Sequence, residues 1–206
     1  MSGKFITLEG GEGSGKSTLI EGLAEALRER GRPVLVTREP GGTILAEHVR
    51  ELALHPPQGK TWSPLALALL MNAAREDHLT RQIRPALRQG HWVLCDRFSD
   101  STRAYQSING VSMAILKHIE QAVLGDTRPD LTLILDAAPD QLLSRRQARG
   151  DQDVFEQADM RFHTHVRQAF LDIAKEEAHR CTVINALQPL ESVRADALSI
   201  IQRRYM

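Results

Sequence analysis

The chain has 206 residues, enough for one sizeable core. With 42% hydrophobic and 25% charged residues it has the composition of a globular protein and not of a disordered one. Its 26 basic side chains balance 26 acidic ones, which disfavours a nucleic-acid surface and confines any phosphate chemistry to local clusters of cations.

Short apolar runs at residues 4–9, 33–37, 91–96, 131–136 and 181–185 read as strands. Between them lie helical patterns at 16–30, 43–53, 64–89, 100–107, 112–124, 139–148, 156–178 and 189–204, several ended by glycine, as after residues 30, 89 and 124. Alternating strands and helices predict parallel crossovers. Each strand is nearly continuously apolar, as expected where helices cover both faces of a sheet. The expectation is therefore a three-layer α/β domain over 1–206 with a five-stranded parallel sheet. A polar, mixed-charge excursion near 145–157 reads as a short lid.

Cys95 and Cys181 sit inside apolar runs and read as buried reduced thiols, without disulfide or metal spacing. The first residues hold too short an apolar run for a signal peptide. The longest uncharged apolar stretch, "PLALALLMNAA", falls short of the ~18 residues of a membrane span. A cytoplasmic protein is expected. His163 and His165 stand two apart on a helix, so they do not share a face, and surface positions are expected for both.

"LEGGEGSGKST" lies between the first strand and the first helix, and Gly10, Gly15, Lys16 and Ser17 satisfy G-x-x-x-x-G-K-[ST] in its required context. Glycines let successive backbone N–H groups turn inward around phosphate oxygens, and the helix start adds its positive end. Gly10, Gly11, Glu12, Gly13, Ser14, Gly15, Lys16, Ser17 and Thr18 are therefore candidates to hold the phosphates of a nucleoside triphosphate. Lys16 supplies a cation, and the Ser17 hydroxyl a ligand for Mg²⁺. Neither an Asp-x-x-Gly nor an Asn-Lys-x-Asp motif of a GTP switch occurs, and nothing marks the second nucleic-acid surface of a motor ATPase. A small kinase acting on a second phosphate predicts arginines spread along the chain, as found.

Several ordered motifs carry this further: "TREPGGT" at 37–43, "AAR" at 73–75, "DRFSDSTRAYQ" at 96–106, "RPDLTLILD" at 128–136, and an R-x-x-x-R pair followed by "DVFE". With the P-loop, they make the chain resemble the thymidylate kinase family in its bacterial form over essentially its full length. The resemblance implies ATP- and Mg²⁺-dependent phosphorylation of dTMP to dTDP by a homodimer. It assigns Arg38 and Arg97 to the acceptor's 5′-phosphate and Glu12 to the sugar 3′-OH. Tyr105 crowds the 2′ position, and Arg75, Thr102 and Gln106 read the pyrimidine edge. Asp96 stands near the metal and orients Arg97, although at a strand end it also fits a helix cap. Because Glu12 is followed by glycine, the catalytic arginine falls to the lid: Arg149 for that charge, Arg145 for the adenine.

Two departures stand out. Met71 takes the place of the usual aromatic over the base, where it fits either a ring-packing role or plain core. Val154 replaces the usual lid arginine. A related kinase with another acceptor, or a nucleotide-binding module with little transfer, stays open as an alternative.

Overall fold

β1 (Phe5–Gly10) is buried along its whole length, as its central place in the sheet requires. In the computed structural model, which describes residues 3–142 and 159–206, β1 pairs with β3 (Trp92–Asp96) on one side and β4 (Leu131–Asp136) on the other. β2 (Val34–Arg38) and β5 (Cys181–Asn185) form the edges, giving the order β2-β3-β1-β4-β5 with every pairing parallel. All five expected strands are present, with bounds shifted by no more than one residue.

Successive strand side chains point to opposite faces, and the core divides accordingly. Ile6, Leu8, Leu94 and Leu133 pack on one face with Leu19, Leu23 and Leu27 of α1 (Lys16–Glu29) and Val193, Ala197 and Ile201 of α8 (Leu190–Tyr205). Phe5, Val93 and Cys95 point the other way, onto Leu79, Ile83 and Phe98. On that same face Ile134 meets Val166, Phe170 and Ile173 of α7 (Met160–Glu176). Full burial of each such aliphatic side chain stabilises by roughly 1.5–3 kcal/mol, so both helical layers are held by the same strands. Cys95 and Cys181 are free and buried, as expected.

The remaining helices are α2 (Ile44–Leu54), α3 (Pro64–His78), α4 (Arg84–Arg88), α5 (Ser99–Ile108) and α6 (Met113–Leu124). Thr43, Ser112 and Asp159 cap α2, α6 and α7 by accepting a bond from the third following N–H. The single helix expected over 64–89 is interrupted by a π-helical turn at Leu79–Ile83. Pro85 lacks the N–H that an unbroken α-helix needs, and the wider turn before it absorbs the mismatch while keeping Leu79 and Ile83 in the core. Residues 139–142 form turns instead of the start of a helix. The rest of the predicted 139–148 helix, and the lid at 145–157, lie outside the described residues.

Parallel strands bring all their carboxyl ends to one edge. Gly10, Arg38, Asp96 and Asp136 therefore end side by side, where ligands of such sheets bind.

Candidate active site

The loop after β1 leaves no room for a side chain at its start. A Cβ on Gly10, whose φ is +133°, would lie 2.4 Å from the Leu135 carbonyl oxygen of the neighbouring strand. Unlike the three side-chain-capped helices, α1 begins after Gly15 with no side-chain cap and no acid in its first turn. Its leading N–H groups are thus left for a ligand. Lys16, only 6% exposed, turns back over the loop, donating to the carbonyls of Gly10 at 3.1 Å and Gly11 at 3.0 Å and to Ser14 Oγ at 3.4 Å. Burial pushes its pKa down to about 8; Arg97 adds to the effect while Glu12, Asp96 and Glu9 oppose it.

Ser17 Oγ donates to Asp96 Oδ2 at 2.8 Å, bringing a hydroxyl from the first turn of α1 against a carboxylate at the end of β3. Hard oxygens so placed suit Mg²⁺. The next residue, Arg97, adopts φ +67°, the one non-glycine described at positive φ. That turn sends its guanidinium back to the Gly10 carbonyl at 3.1 Å, Ser101 Oγ at 3.0 Å and the Glu12 carboxylate. Tyr105 donates to Glu12 at 3.1 Å, and its ring lies 5.4 Å from the Arg97 guanidinium.

A cleft of about 260 Å³ opens beside this group. Glu12, Lys16, Ser17, Asp96, Arg97, Arg38, Met71, Arg75, Thr102, Tyr105 and Gln106 all line it, so the predicted site residues within the described chain converge, apart from loop positions whose contribution is backbone. Arg38 stands at the rim, paired with Glu47 at 3.1 Å. Met71 lines the cleft and, as its core reading expects, belongs to an apolar cluster with Ala53, Leu54 and Leu67. Gln106 is buried with Oε1 lacking a hydrogen-bond partner, an acceptor suited to a ligand N–H. Arg145, Arg149 and Val154 lie outside the described residues.

Several contributors were not anticipated. Glu9, one residue before the end of β1, is fully buried and accepts from the N–H of Phe98 at 2.8 Å, the N–H of Ser101 at 3.3 Å and Ser101 Oγ at 2.6 Å. Burial, then the nearby Asp100 charge, raises its pKa to about 7. Asp100 anchors the other side of α5, taking both terminal nitrogens of Arg180 at 2.8 Å. Arg50 of α2 reaches the cleft and donates to the Pro40 carbonyl at 2.9 Å; its place in the second helical turn after "PGGT" was the available signal. His163 is buried, contrary to the surface position expected, because α7 turns it inward beside Phe162 and into the layer that holds Val166 and Phe170.

The loop presents bare N–H groups and Lys16, the adjoining cleft presents Arg38, Arg75 and Arg97, and Arg97 and Glu12 stand at the boundary between the two halves. That division defines a P-loop kinase of the nucleoside monophosphate class. Comparison with known proteins narrows the class. A family model described as thymidylate kinase matches residues 8–197. Among similar sequences, a thymidylate kinase from Pseudomonas putida is 51% identical over 95% of this chain and 93% of its own length. One from Caulobacter vibrioides is 48% identical over 98% and 97%. The crystal structure of thymidylate kinase from Ehrlichia chaffeensis superposes with a TM-score of 0.79 at 36% identity, covering 98% of this chain and 99% of the other. The chain belongs to the thymidylate kinase family.

Proposed function

We infer that the chain transfers the γ-phosphoryl group of ATP to the 5′-phosphate of dTMP, giving ADP and dTDP, in a reaction that requires Mg²⁺. The observation that carries this reading is the position of Arg97, bridging the phosphate loop at Gly10 and the acceptor cleft at Glu12. Transfer between two phosphates leaves little covalent work for the protein, so alignment and fixed positive charge supply most of the acceleration. Lys16 and the N–H groups of residues 10–18 hold the donor phosphates. Arg97 and Arg38 hold the acceptor phosphate with forked donors that stay charged. Ser17 and Asp96 would hold the metal, which when bound screens the charge between the phosphates. Glu12 receives the sugar hydroxyl, and Tyr105, fixed by its bond to Glu12, closes the space a ribose 2′-OH would fill. Arg75, Thr102 and Gln106 meet the base edge beside Met71. Arg149 supplies the lid's charge to the transition state, and Arg145 meets the adenine.

An assay of ADP release with dTMP, dUMP, dCMP, dAMP and dGMP tests the reading. Selectivity for dTMP is the expected result, and a different best acceptor overturns it.

The same reading takes 1–206 as one kinase domain in the cytoplasm; among the described residues no helix is long and apolar enough to cross a membrane. It also takes the protein as a homodimer. Leu45 and Leu52 on α2, Leu65 and Leu69 on α3 and Ile115 on α6 are each at least 41% exposed, on helices where α3 packs against both others. A second copy covering them removes that apolar area from water. Sedimentation should give twice the 23.0 kDa chain mass, and Leu69→Glu should shift the population to monomer. An unchanged mass in that variant rejects this face.

A further inference from the structure

We propose that Glu39, oriented by His78, is a positioning residue that aims Arg75 at the acceptor's base and cancels its charge, so that this end of the cleft accepts a neutral carbonyl edge and refuses a phosphate. The proposal rests on the reading of Arg75 as a base contact.

Arg75 is 3% exposed and yet lines the cleft. Its Nε donates to Glu39 Oε2 at 2.7 Å, Nη1 to Asn72 Oδ1 at 2.9 Å and Nη2 to Thr102 Oγ1 at 2.9 Å. The Phe98 ring lies 5.2 Å from the guanidinium. Each terminal nitrogen therefore keeps one N–H for a ligand, in a plane fixed by three acceptors from α3, α5 and the loop after β2. Glu39 is held in turn. Its second oxygen lies 3.0 Å from His78 Nδ1, and His78 Nε2 lies 2.8 Å from Thr37 Oγ1, which also bonds Gln82 Oε1 at 3.2 Å. His78 has no exposed surface, and the loop backbone lies directly on it: a Cβ at Gly42 would come within 2.3 Å of Nε2. Glu39 and His78 thus join the loop that presents Arg38 to the helix that presents Arg75.

The charge arrangement gives the chain its reason. A guanidinium in a nucleotide cleft is a good phosphate ligand, and an unpaired Arg75 would compete with Arg97 and Arg38 for the acceptor's anionic end. With the Glu39 carboxylate against it, Arg75 keeps two N–H groups for a ligand while the pair as a whole carries no net charge. A mononucleotide, neutral at the base and anionic at the 5′ end, then fits in one orientation only.

Steady-state kinetics of the full chain and of Glu39→Gln, Arg75→Gln and the double variant test this, with melting curves as the folding control. Glu39→Gln is expected to raise the KM for dTMP about tenfold or more while leaving the KM for ATP within about twofold, since removing one partner of a buried pair strands the other. Inorganic phosphate should become a competitive inhibitor against dTMP at concentrations at least about tenfold below those needed for the wild type, because the stranded guanidinium binds oxyanions. In the Arg75→Gln background the Glu39 change should add less than about twofold and no phosphate sensitivity. Equal losses for both substrates, equal effects in both backgrounds, or wild-type phosphate sensitivity in Glu39→Gln would overturn the proposal. If Arg75→Gln leaves the KM for dTMP unchanged, the base-contact reading beneath it is wrong instead. Should Glu39→Gln fail to fold, the double variant, which strands no charge, and His78→Ala decide. His78→Ala is expected to raise the KM for dTMP without phosphate inhibition, and an unchanged KM for dTMP rejects the role of His78.

Discussion

Lys16→Ala is expected to lower kcat by about 10³-fold, on the order of 4 kcal/mol of transition-state stabilisation, while the protein stays folded. The fold should survive because the ammonium bonds only loop groups, the carbonyls of Gly10 and Gly11 and Ser14 Oγ. Burial disfavours its charged form, so removing it takes a strained charge out of the free enzyme. The same burial predicts a pH dependence. With a pKa of about 8, Lys16 carries its charge below that pH and loses it above. In the free enzyme kcat/KM for ATP should therefore fall as pH rises through about 8. Bound polyphosphate favours the ammonium, so kcat at saturating ATP should hold to higher pH. Rapid-quench measurement of a single turnover checks the first expectation and a pH series the second; wild-type turnover in Lys16→Ala refutes the role.

Arg97→Ala is expected to raise the KM for dTMP by about 10²-fold and leave the KM for ATP within about threefold, the size expected when a buried charge-assisted contact loses one member. Its guanidinium sits against Glu12, with side chains 16% and 14% exposed, and its loss leaves a carboxylate facing the incoming phosphate. Repulsion then adds to the missing attraction. Arg97→Lys should recover little, because a single ammonium cannot span Gly10, Ser101 and Glu12 together. Glycine at this position separates chemistry from backbone. The φ of +67° strains alanine as it strains arginine, so Arg97→Gly should be more stable to unfolding than Arg97→Ala by about 1 kcal/mol while binding dTMP equally poorly. Calorimetric titration with each nucleotide reads the binding and melting curves read the stability, and equal losses for dTMP and ATP would count against the assignment.

Strands and phosphate loop were legible because their signals are local. "KFITLE" holds a short apolar run next to a glycine-rich stretch, and the glycine before "KST" matches the start of a helix with bare N–H groups. The π turn was not legible, since Leu79 and Ile83 continue a helical pattern and only Pro85 hints at the break. Arg75 on its own resembles a surface cation; its burial depends on Glu39, a residue 36 positions away on another element. Glu9 reads as one polar residue in a strand, and nothing nearby in sequence announces that Phe98 and Ser101 will satisfy it. Residues whose environment comes from distant elements need the tertiary fold, whereas motifs identify only those that face the ligand.

α5 is fastened at two points, by Glu9 at its first turn and by the Asp100–Arg180 pair on its underside. Thr102, Tyr105 and Gln106 ride on the platform these two anchors hold. The stiffness that a selective pocket needs thus comes from outside it, from a strand and from the residue that precedes the last strand, and not from the groups that meet the ligand.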